Sequence, residues 1–364
     1  MTIKKLIIFN PSIEDGGVEK NLFLVANYLA KKIPYLTLIT SSTYKKKFFS
    51  DKITFSTVYF KFFVYFKRYP KYLFCILLLI FNIIKYKRKV VVFAFQANIY
   101  AIIISKLLGV KVISRSNTSP HSWNKSQIKQ LIFNFFFRRA DLIIVNSSEF
   151  KKQIDKKYSI KSKIILNPFD FNYIKRKSLE KIKNNFFKKN SLKLITVGRL
   201  VDQKDQIIIL KAIKLVLKRN KNIQLIIVGK GEKRTELNEY ISRNKLEGYV
   251  KLVGYRNNPF KYISSADLFI LSSKFEGLPN ALIEAMFLKK SVISSDCPTG
   301  PKEILNNGNY GSLFKVGDYK SLAKLILIFK KNKKKIENAF LSCSKYSYKN
   351  NCEEYFKTIG PYLK

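Results

Sequence analysis

The chain has 364 residues, 47% of them hydrophobic, with 69 Lys and Arg against 24 Asp and Glu, a net charge of +45, one His and four Cys. That length suits two domains of roughly 150–200 residues each, and the apolar content excludes a disordered chain. The charge leaves three explanations: nucleic acid, an anionic membrane surface, or a general drift toward Lys. No basic block has the form of a zinc finger, an RNP aromatic motif or a basic zipper, so no nucleic acid partner is expected.

Leu6–Phe9, ahead of Asn10-Pro11, is too short an apolar run for a signal peptide and is expected to be the first strand. Asp15-Gly16-Gly17-Val18-Glu19 follows it and opens a helix-like stretch, where small residues let backbone amides approach a phosphate or a sugar. Alone, a Gly-Gly pair is an ordinary turn, and it lacks the full G-x-G-x-x-G dinucleotide fingerprint. Residues 55–89 interleave aromatics with cations, notably over Tyr59–Tyr69, as a face among lipid headgroups would. Leu73–Ile84 is apolar for about a dozen residues, short of the ~20 that cross a bilayer, and reads as a buried or interfacial helix. Further strands are expected at Leu36–Ile39, Val90–Ala94, Lys111–Ser114 and Leu142–Val145, separated by helix-like segments in the manner of a parallel, doubly wound sheet. Arg115 and Asn117, at the end of the Lys111 strand, are candidate contacts to acceptor or donor. His121, the only histidine, has no acidic neighbour to orient it and is a weaker candidate; Asn146-Ser147-Ser148 presents a similar modest case.

After Asn167-Pro168 a Lys-rich stretch reads as the interdomain link, and strands resume at Leu192–Gly198, Ile223–Gly229, Val250–Gly254, Leu268–Leu271 and Ser291–Ser295. The expected organisation is an N-terminal Rossmann-like domain over 1–170, a link over 171–191, a second Rossmann-like domain over 192–345, and a segment over 346–364 that crosses back to the first. Ligands in such folds bind at strand carboxyl ends, and the motifs fall there. Gly198-Arg199-Leu200-Val201-Asp202-Gln203-Lys204-Asp205 places Arg199 and Lys204 at a strand end, where two cations would neutralise a diphosphate. Phe275-Glu276-Gly277-Leu278-Pro279-Asn280-Ala281-Leu282-Ile283-Glu284 puts Glu276 before a helix starting near Asn280 and Glu284 about a turn inside it. The free N–H groups of the first helical turn lie between them. Asp296–Leu305 is a Pro and Gly loop leading into a helix. The four cysteines, Cys75, Cys297, Cys343 and Cys352, are scattered with no C-x2-C pair, which argues against a zinc site or a disulfide framework and fits a reducing compartment.

The Glu276–Glu284 segment resembles the Glu-x7-Glu motif of glycosyltransferase family 4, retaining nucleotide-sugar transferases of the GT-B fold; Leu278 stands where many members have Phe. The loop at Gly16-Gly17 is similar to that family's GG-x-E loop, and Gly198–Asp205 to its GRL…QKD motif. The resemblance implies two Rossmann-like domains facing across a cleft. It implies donor contacts at Gly16, Gly17, Gly277, Leu278, Pro279 and Asn280, sugar orientation by Glu276, ribose binding by Glu284, and diphosphate stabilisation by Arg199 and Lys204. No Asp-x-Asp motif is present, and no metal or other cofactor is expected. The Asp296–Leu305 loop resembles a form found in transferases that extend lipid-linked or surface polysaccharides. The expectation is therefore a retaining hexosyl- or N-acetylhexosaminyltransferase, using a nucleotide sugar such as a UDP-sugar and a glycan or lipid-linked acceptor. It would work in polysaccharide, lipopolysaccharide or capsule synthesis, in the cytoplasm and peripheral on the inner face of the membrane. The alternatives are a basic nucleic-acid-binding protein, suggested by charge alone, and a sugar-nucleotide epimerase or nicotinamide oxidoreductase of similar architecture; the first-strand loop argues against the oxidoreductase.

Overall fold

The computed structural model describes residues 4–13, 16–41, 45–57, 68–117, 127–182 and 186–364. The chain divides into two compact units, the first formed by residues 1–169 with 346–364, the second by 170–345.

In the first unit, β1 (Lys5–Phe9), β2 (Leu36–Ile39), β3 (Ile53–Ser56), β4 (Val90–Ala94), β5 (Lys111–Arg115), β6 (Leu142–Val145) and β7 (Lys163–Ile164) form one parallel sheet in the order β3-β2-β1-β4-β5-β6-β7. Its central strands are apolar on both faces, Val90–Ala94 being buried throughout, because helices cover both sides. One face carries α1 (Gly17–Lys32) and the C-terminal helix (Tyr348–Leu363), with Leu22, Val25, Leu29, Tyr355 and Ile359 in the core between them and the sheet. The other face carries α2 (Arg68–Lys85), α3 (Asn98–Leu107), α4 (Gln127–Phe137) and α5 (Ser148–Tyr158), over Ile7, Val92, Cys75, Leu79, Ile102 and Phe150. The C-terminal helix is tied down by the Lys4 amide donating to the Leu363 carbonyl at 2.9 Å and by an ion pair between Lys163 and Glu354 at 2.7 Å.

The second unit begins with a helix where the sequence suggests a link. Residues 171–191 open with α6 (Phe171–Ser178), which Asp170 caps by accepting from the Tyr173 amide at 2.9 Å. Ile174 is buried, the Tyr173 ring meets Phe260 edge-on at 6.2 Å and the Phe171 ring stacks on Phe287 at 4.2 Å, so the helix opening this Lys-rich stretch packs on the second unit. The sheet contains β8 (Leu192–Val197), β9 (Ile223–Val228), β10 (Val250–Gly254), β11 (Leu268–Leu271), β12 (Ser291–Ser295) and β13 (Ser312–Phe314), all parallel, in the order β10-β9-β8-β11-β12-β13. Around it lie α7 (Gln206–Val216), α8 (Arg234–Arg243), α9 (Phe260–Ser265), α10 (Asn280–Phe287), α11 (Pro301–Ile304), α12 (Tyr319–Leu327) and α13 (Lys333–Ser342).

Each sheet has one switch point, where consecutive connections run to opposite sides. In the first it lies between β1 and β4, in the second between β8 and β11. Loops diverge there and leave a crevice beyond the carboxyl ends of the strands. Gly16 and Gly17 follow β1; Arg199 and Lys204 follow β8; Glu276 follows β11.

Candidate functional site

At the switch point of the second unit, β11 is followed by the buried pair Ser272 and Ser273, and the chain turns through Phe275–Pro279 before α10 begins at Asn280. Pro279, with φ of −71°, precedes the first helical turn. Glu276 and Glu284 are 6% and 2% exposed, so both carboxylates have left bulk water and need partners. One oxygen of Glu276 accepts from the Ser273 hydroxyl at 2.6 Å and pairs with the Lys204 ammonium. The backbone of Glu276 is held as well: its carbonyl accepts from the Thr299 hydroxyl, and its amide donates to the Pro298 carbonyl at 3.4 Å. A Cβ on Gly300, whose φ is +86°, would lie 2.6 Å from the Gly277 carbonyl oxygen and 2.8 Å from Pro279 Cδ. The loop before α11 is therefore a brace for the Glu276 turn, and glycine is required where the two touch.

Lys204 reaches Glu276 from a short 3-10 turn, Asp202–Lys204, that follows β8. Four further contacts join this turn to the Glu276 loop. Ser272 Oγ donates to the Lys204 carbonyl and the Lys274 amide to the Gln203 carbonyl, both at 2.8 Å. Gln203 Nε2 donates to the Phe275 carbonyl, and Lys274 pairs with Asp202, also at 2.8 Å each. Lys204 has three ammonium hydrogens and spends one on Glu276, leaving two for other oxygens. Arg199 differs: its carbonyl is fixed by Gln206 Nε2 at 2.8 Å, while its side chain is exposed and makes no ion pair with a described residue. Burial, with the nearby Glu276 charge, pushes the Cys297 thiol up to about 12, so it stays protonated at neutral pH and is no nucleophile.

The sequence reading passed over one part of this site. After β9, Gly229-Lys230-Gly231 packs directly on the Gly198–Leu200 loop. A Cβ on Gly229 would sit 1.8 Å from the Gly198 carbonyl oxygen, and one on Gly231 2.2 Å from that of Leu200. The Leu200 amide donates to the Lys230 carbonyl at 2.9 Å. Two glycines one residue apart after a strand were the available signal.

In the first unit, Gly16 caps α1 in an extended conformation, and Gly17 is its first residue. A Cβ on Gly16 would lie 2.6 Å from a carboxylate oxygen of the buried Glu19, whose other oxygen accepts from Gln96 Nε2 at 3.1 Å. Arg115 is 1% exposed. Its Nε donates to the Tyr355 hydroxyl at 2.7 Å, Nη2 to Asn167 Oδ1 at 2.6 Å, and Nη1 to Asn117 Oδ1. In this arrangement the side chain anchors the C-terminal helix, and the Asn117 amide is committed to the Phe95 carbonyl at 2.7 Å. Ser147, read as a modest candidate, caps α5 by accepting from the Phe150 amide at 3.2 Å. His121 and most of the basic aromatic stretch Tyr59–Tyr69 lie outside the described residues. Among the described residues, no group of three His, Cys, Asp or Glu is placed to hold a metal.

Two family models together span both units: Glycosyltransferase Family 4 matches residues 15–173, and Glycosyl transferases group 1 matches 177–349. The chain belongs to the family 4 type of glycosyltransferases, and its two parallel α/β units form a GT-B fold. It is 41% identical over 186 residues to an uncharacterized glycosyltransferase of Methanocaldococcus jannaschii, covering 50% of this chain and 46% of that protein. It is 29% identical over 235 residues to the N-acetylgalactosamine-N,N'-diacetylbacillosaminyl-diphospho-undecaprenol 4-alpha-N-acetylgalactosaminyltransferase of Campylobacter jejuni, covering 61% and 62%. These matches span roughly half to three-fifths of the relatives' lengths. A structure of Anabaena HepE in complex with UDP and glucose superposes with a TM-score of 0.77 at 19% identity, over 98% of this chain and 100% of that one.

Proposed function

We propose that the protein is a retaining glycosyltransferase that moves a hexose or N-acetylhexosamine from a UDP-sugar to a lipid-linked or surface-glycan acceptor in polysaccharide synthesis. The observation that carries this reading is the Glu276 carboxylate, buried ahead of α10 and pinned by Ser273 and Lys204. A fixed, desolvated carboxylate orients sugar hydroxyls strongly, because it competes with no water. Relatives support the chemistry: the Campylobacter enzyme acts on a diphospho-undecaprenol glycan, and HepE binds UDP and glucose.

In this mechanism the ribose is bound by Glu284, and the diphosphate by Arg199, the free hydrogens of Lys204 and backbone amides at the start of α10. The bond from the sugar anomeric carbon to the β-phosphate oxygen breaks through an oxocarbenium-like state, and its electron pair leaves with the phosphate. The acceptor oxygen bonds to the same face of that carbon, and its proton passes to the departing phosphate oxygen. Glu276 orients the sugar and forms no covalent adduct. The cations stabilise the leaving charge without a required metal. The acceptor's lipid anchor puts this reaction at the cytoplasmic face of a membrane.

The test is nucleoside diphosphate release from a panel of UDP-, GDP- and ADP-sugars, with and without lipid-linked acceptors, in wild type and Glu276→Ala. Release that needs one donor and a lipid acceptor, gives the retained anomer by NMR, and is lost in the variant supports the reading. Turnover without a glycoside product would favour the epimerase. No release and no donor binding by the folded protein would overturn it.

A further inference from the structure

The helix layer formed by α2, α3 and α4 has an outer face of large apolar side chains that no described residue covers. In α2, Leu73, Leu77, Phe81 and Ile84 are 53–60% exposed and, at 100° per residue, fall within one narrow stripe of the helix. The opposite side of α2, with Cys75, Leu79 and Ile83, is buried on the sheet. Between Lys71 and Lys85 the only amide or hydroxylic aliphatic side chain is Asn82, which is buried and bonded to Ser56 and to the Leu78 carbonyl, both at 2.8 Å. α2 is thus apolar all round, a pattern that belongs to a helix with partners on every side. The stripe continues across the neighbouring helices. Tyr100 of α3, whose ring lies 6.3 Å from Tyr72, is exposed, as are Leu107 of α3 and Leu131 and Phe135 of α4. So many large apolar side chains on one layer mark an interaction surface.

Charge identifies what fits it. Between Asp51 and Asp141 the sequence has no Asp or Glu, so every fixed charge there is Lys or Arg. Lys85, Lys87, Arg88 and Lys89 are exposed at and just beyond the end of α2, and Arg138 and Arg139 just beyond α4, with the Arg139 guanidinium 3.5 Å from the Phe135 ring centre. Asp141, at the margin, is consumed by Lys106 and Lys111. An apolar stripe with a purely cationic rim matches the acyl boundary and headgroups of an anionic bilayer. Nucleic acid would meet the cations but leave the Leu, Phe and Ile side chains in water. No described helix is long and apolar enough to cross a membrane, so the contact is in the plane of the interface.

We infer that the outer face of α2, α3 and α4 is a monotopic docking surface for an anionic membrane, with Leu73, Leu77, Phe81 and Ile84 inserted and the Lys and Arg rim on the headgroups. The inference deepens the lipid-linked reading above and rests on it only for its biological sense. Co-sedimentation with mixed phosphatidylglycerol and phosphatidylcholine vesicles, without donor or acceptor, tests it independently of transfer activity. Wild type should sediment with the mixed vesicles and stay in solution with phosphatidylcholine alone. Leu77→Ser with Phe81→Ser should weaken binding about tenfold or more, with the thermal midpoint and UDP binding unchanged because both side chains are exposed. Lys87→Gln, Arg88→Gln and Lys89→Gln together should weaken binding and reduce its salt dependence. Wild type that ignores anionic vesicles, or a serine variant that binds them as well as wild type, overturns the inference. So does a wild-type dimer that the serine variant disperses, which would assign the stripe to a second copy of the chain.

Discussion

The carboxyl ends of the two sheets solve the same topological problem with different chemistry. In the second unit they are joined by charge and close contact: Lys204 to Glu276, Lys274 to Asp202, Gly229 against Gly198, Gly300 against Gly277. In the first unit neutral polar groups outnumber the buried ions Glu19 and Arg115. Asn10 Oδ1, Thr40 Oγ1, Asn98 Oδ1, Ser114 Oγ, Ser116 Oγ and Asn146 Oδ1 are buried without a hydrogen-bond partner among the described residues. The buried cation Arg115 is hydrogen-bonded by Tyr355, Asn117 and Asn167, none of them an acid. An unmet buried polar atom costs about 1–3 kcal/mol, so the first unit tolerates a local loss of stability that the second avoids. The second unit thus holds its buried Glu276 carboxylate with a fixed cation, whereas the first leaves several buried neutral polar atoms without a described partner.

The sharpest way to break this comparison is at the charged end. Glu276→Ala should lower turnover by about a thousandfold, the scale of a preorganised electrostatic contact, while Lys204→Ala should cost about a hundredfold because it removes both the proposed phosphate ligand and the Glu276 partner. Arg199→Ala, whose side chain makes no ion pair with a described residue, should cost about tenfold with an unchanged unfolding midpoint. Steady-state kinetics beside calorimetry would read all three; equal effects of Lys204 and Arg199 on stability would contradict the asymmetry.

A steric test comes next. Gly229→Ala forces a methyl to 1.8 Å from the Gly198 carbonyl oxygen and should destabilise by about 3 kcal/mol or more, whereas Gly248→Ala, with no atom within 4 Å of the added carbon, should be near neutral in denaturant titration. Two hydroxyls then compare the sheet ends directly. Ser116→Ala removes a buried atom without a partner and should leave stability unchanged or slightly higher, while Ser273→Ala strips a donor from Glu276 and should lower kcat by about tenfold.

The smallest effect is in pH. Burial alone would raise Asp141, but Lys106, the Val112 amide and Lys111 outweigh it and hold its carboxyl below the ordinary range. Its stabilisation is therefore present above the unfolded pKa of about 3.9 and lost as pH falls through the folded value. Asp205 is shifted the other way by burial, so its ionisation costs stability at neutral pH, and that cost is relieved as pH falls. At pH 7 Asp141→Asn should lower the unfolding midpoint and Asp205→Asn should raise it. Both differences should shrink toward pH 3 in a calorimetric series; same-signed effects at pH 7 would contradict the assignment.

The strongest parts of the fold were legible because central parallel strands are unbroken apolar runs, as at Val90–Ala94 and Ile223–Val228. Three edge or near-edge strands were missed for the opposite reason. Ile53–Ser56 and Ser312–Phe314 are short and half exposed, and Lys163–Ile164 has only two residues, so none has a pattern of its own and each exists by pairing with a neighbour. The placement of Arg199 and Lys204 after β8, of Glu276 before α10 and of Glu284 within it was readable from the sequence. The Lys204–Glu276 pair was not, because it joins residues 72 positions apart through the β8–β11 switch. The close packing of Gly229 and Gly231 on the Gly198–Leu200 loop depends instead on the pairing of β8 with β9. Arg115, at the end of a strand, was read as a candidate ligand contact; its bond to Tyr355 was not legible, because it depends on the return of the C-terminal helix.

The most direct test of the central claim is calorimetric titration of UDP and of the preferred UDP-sugar into wild type and Glu276→Ala. The account predicts that wild type binds both, the sugar adding affinity, and that the variant keeps UDP binding through Glu284, Arg199 and the α10 amides while losing the sugar's increment. A folded wild type that binds neither, or a variant in which the increment survives, would contradict it.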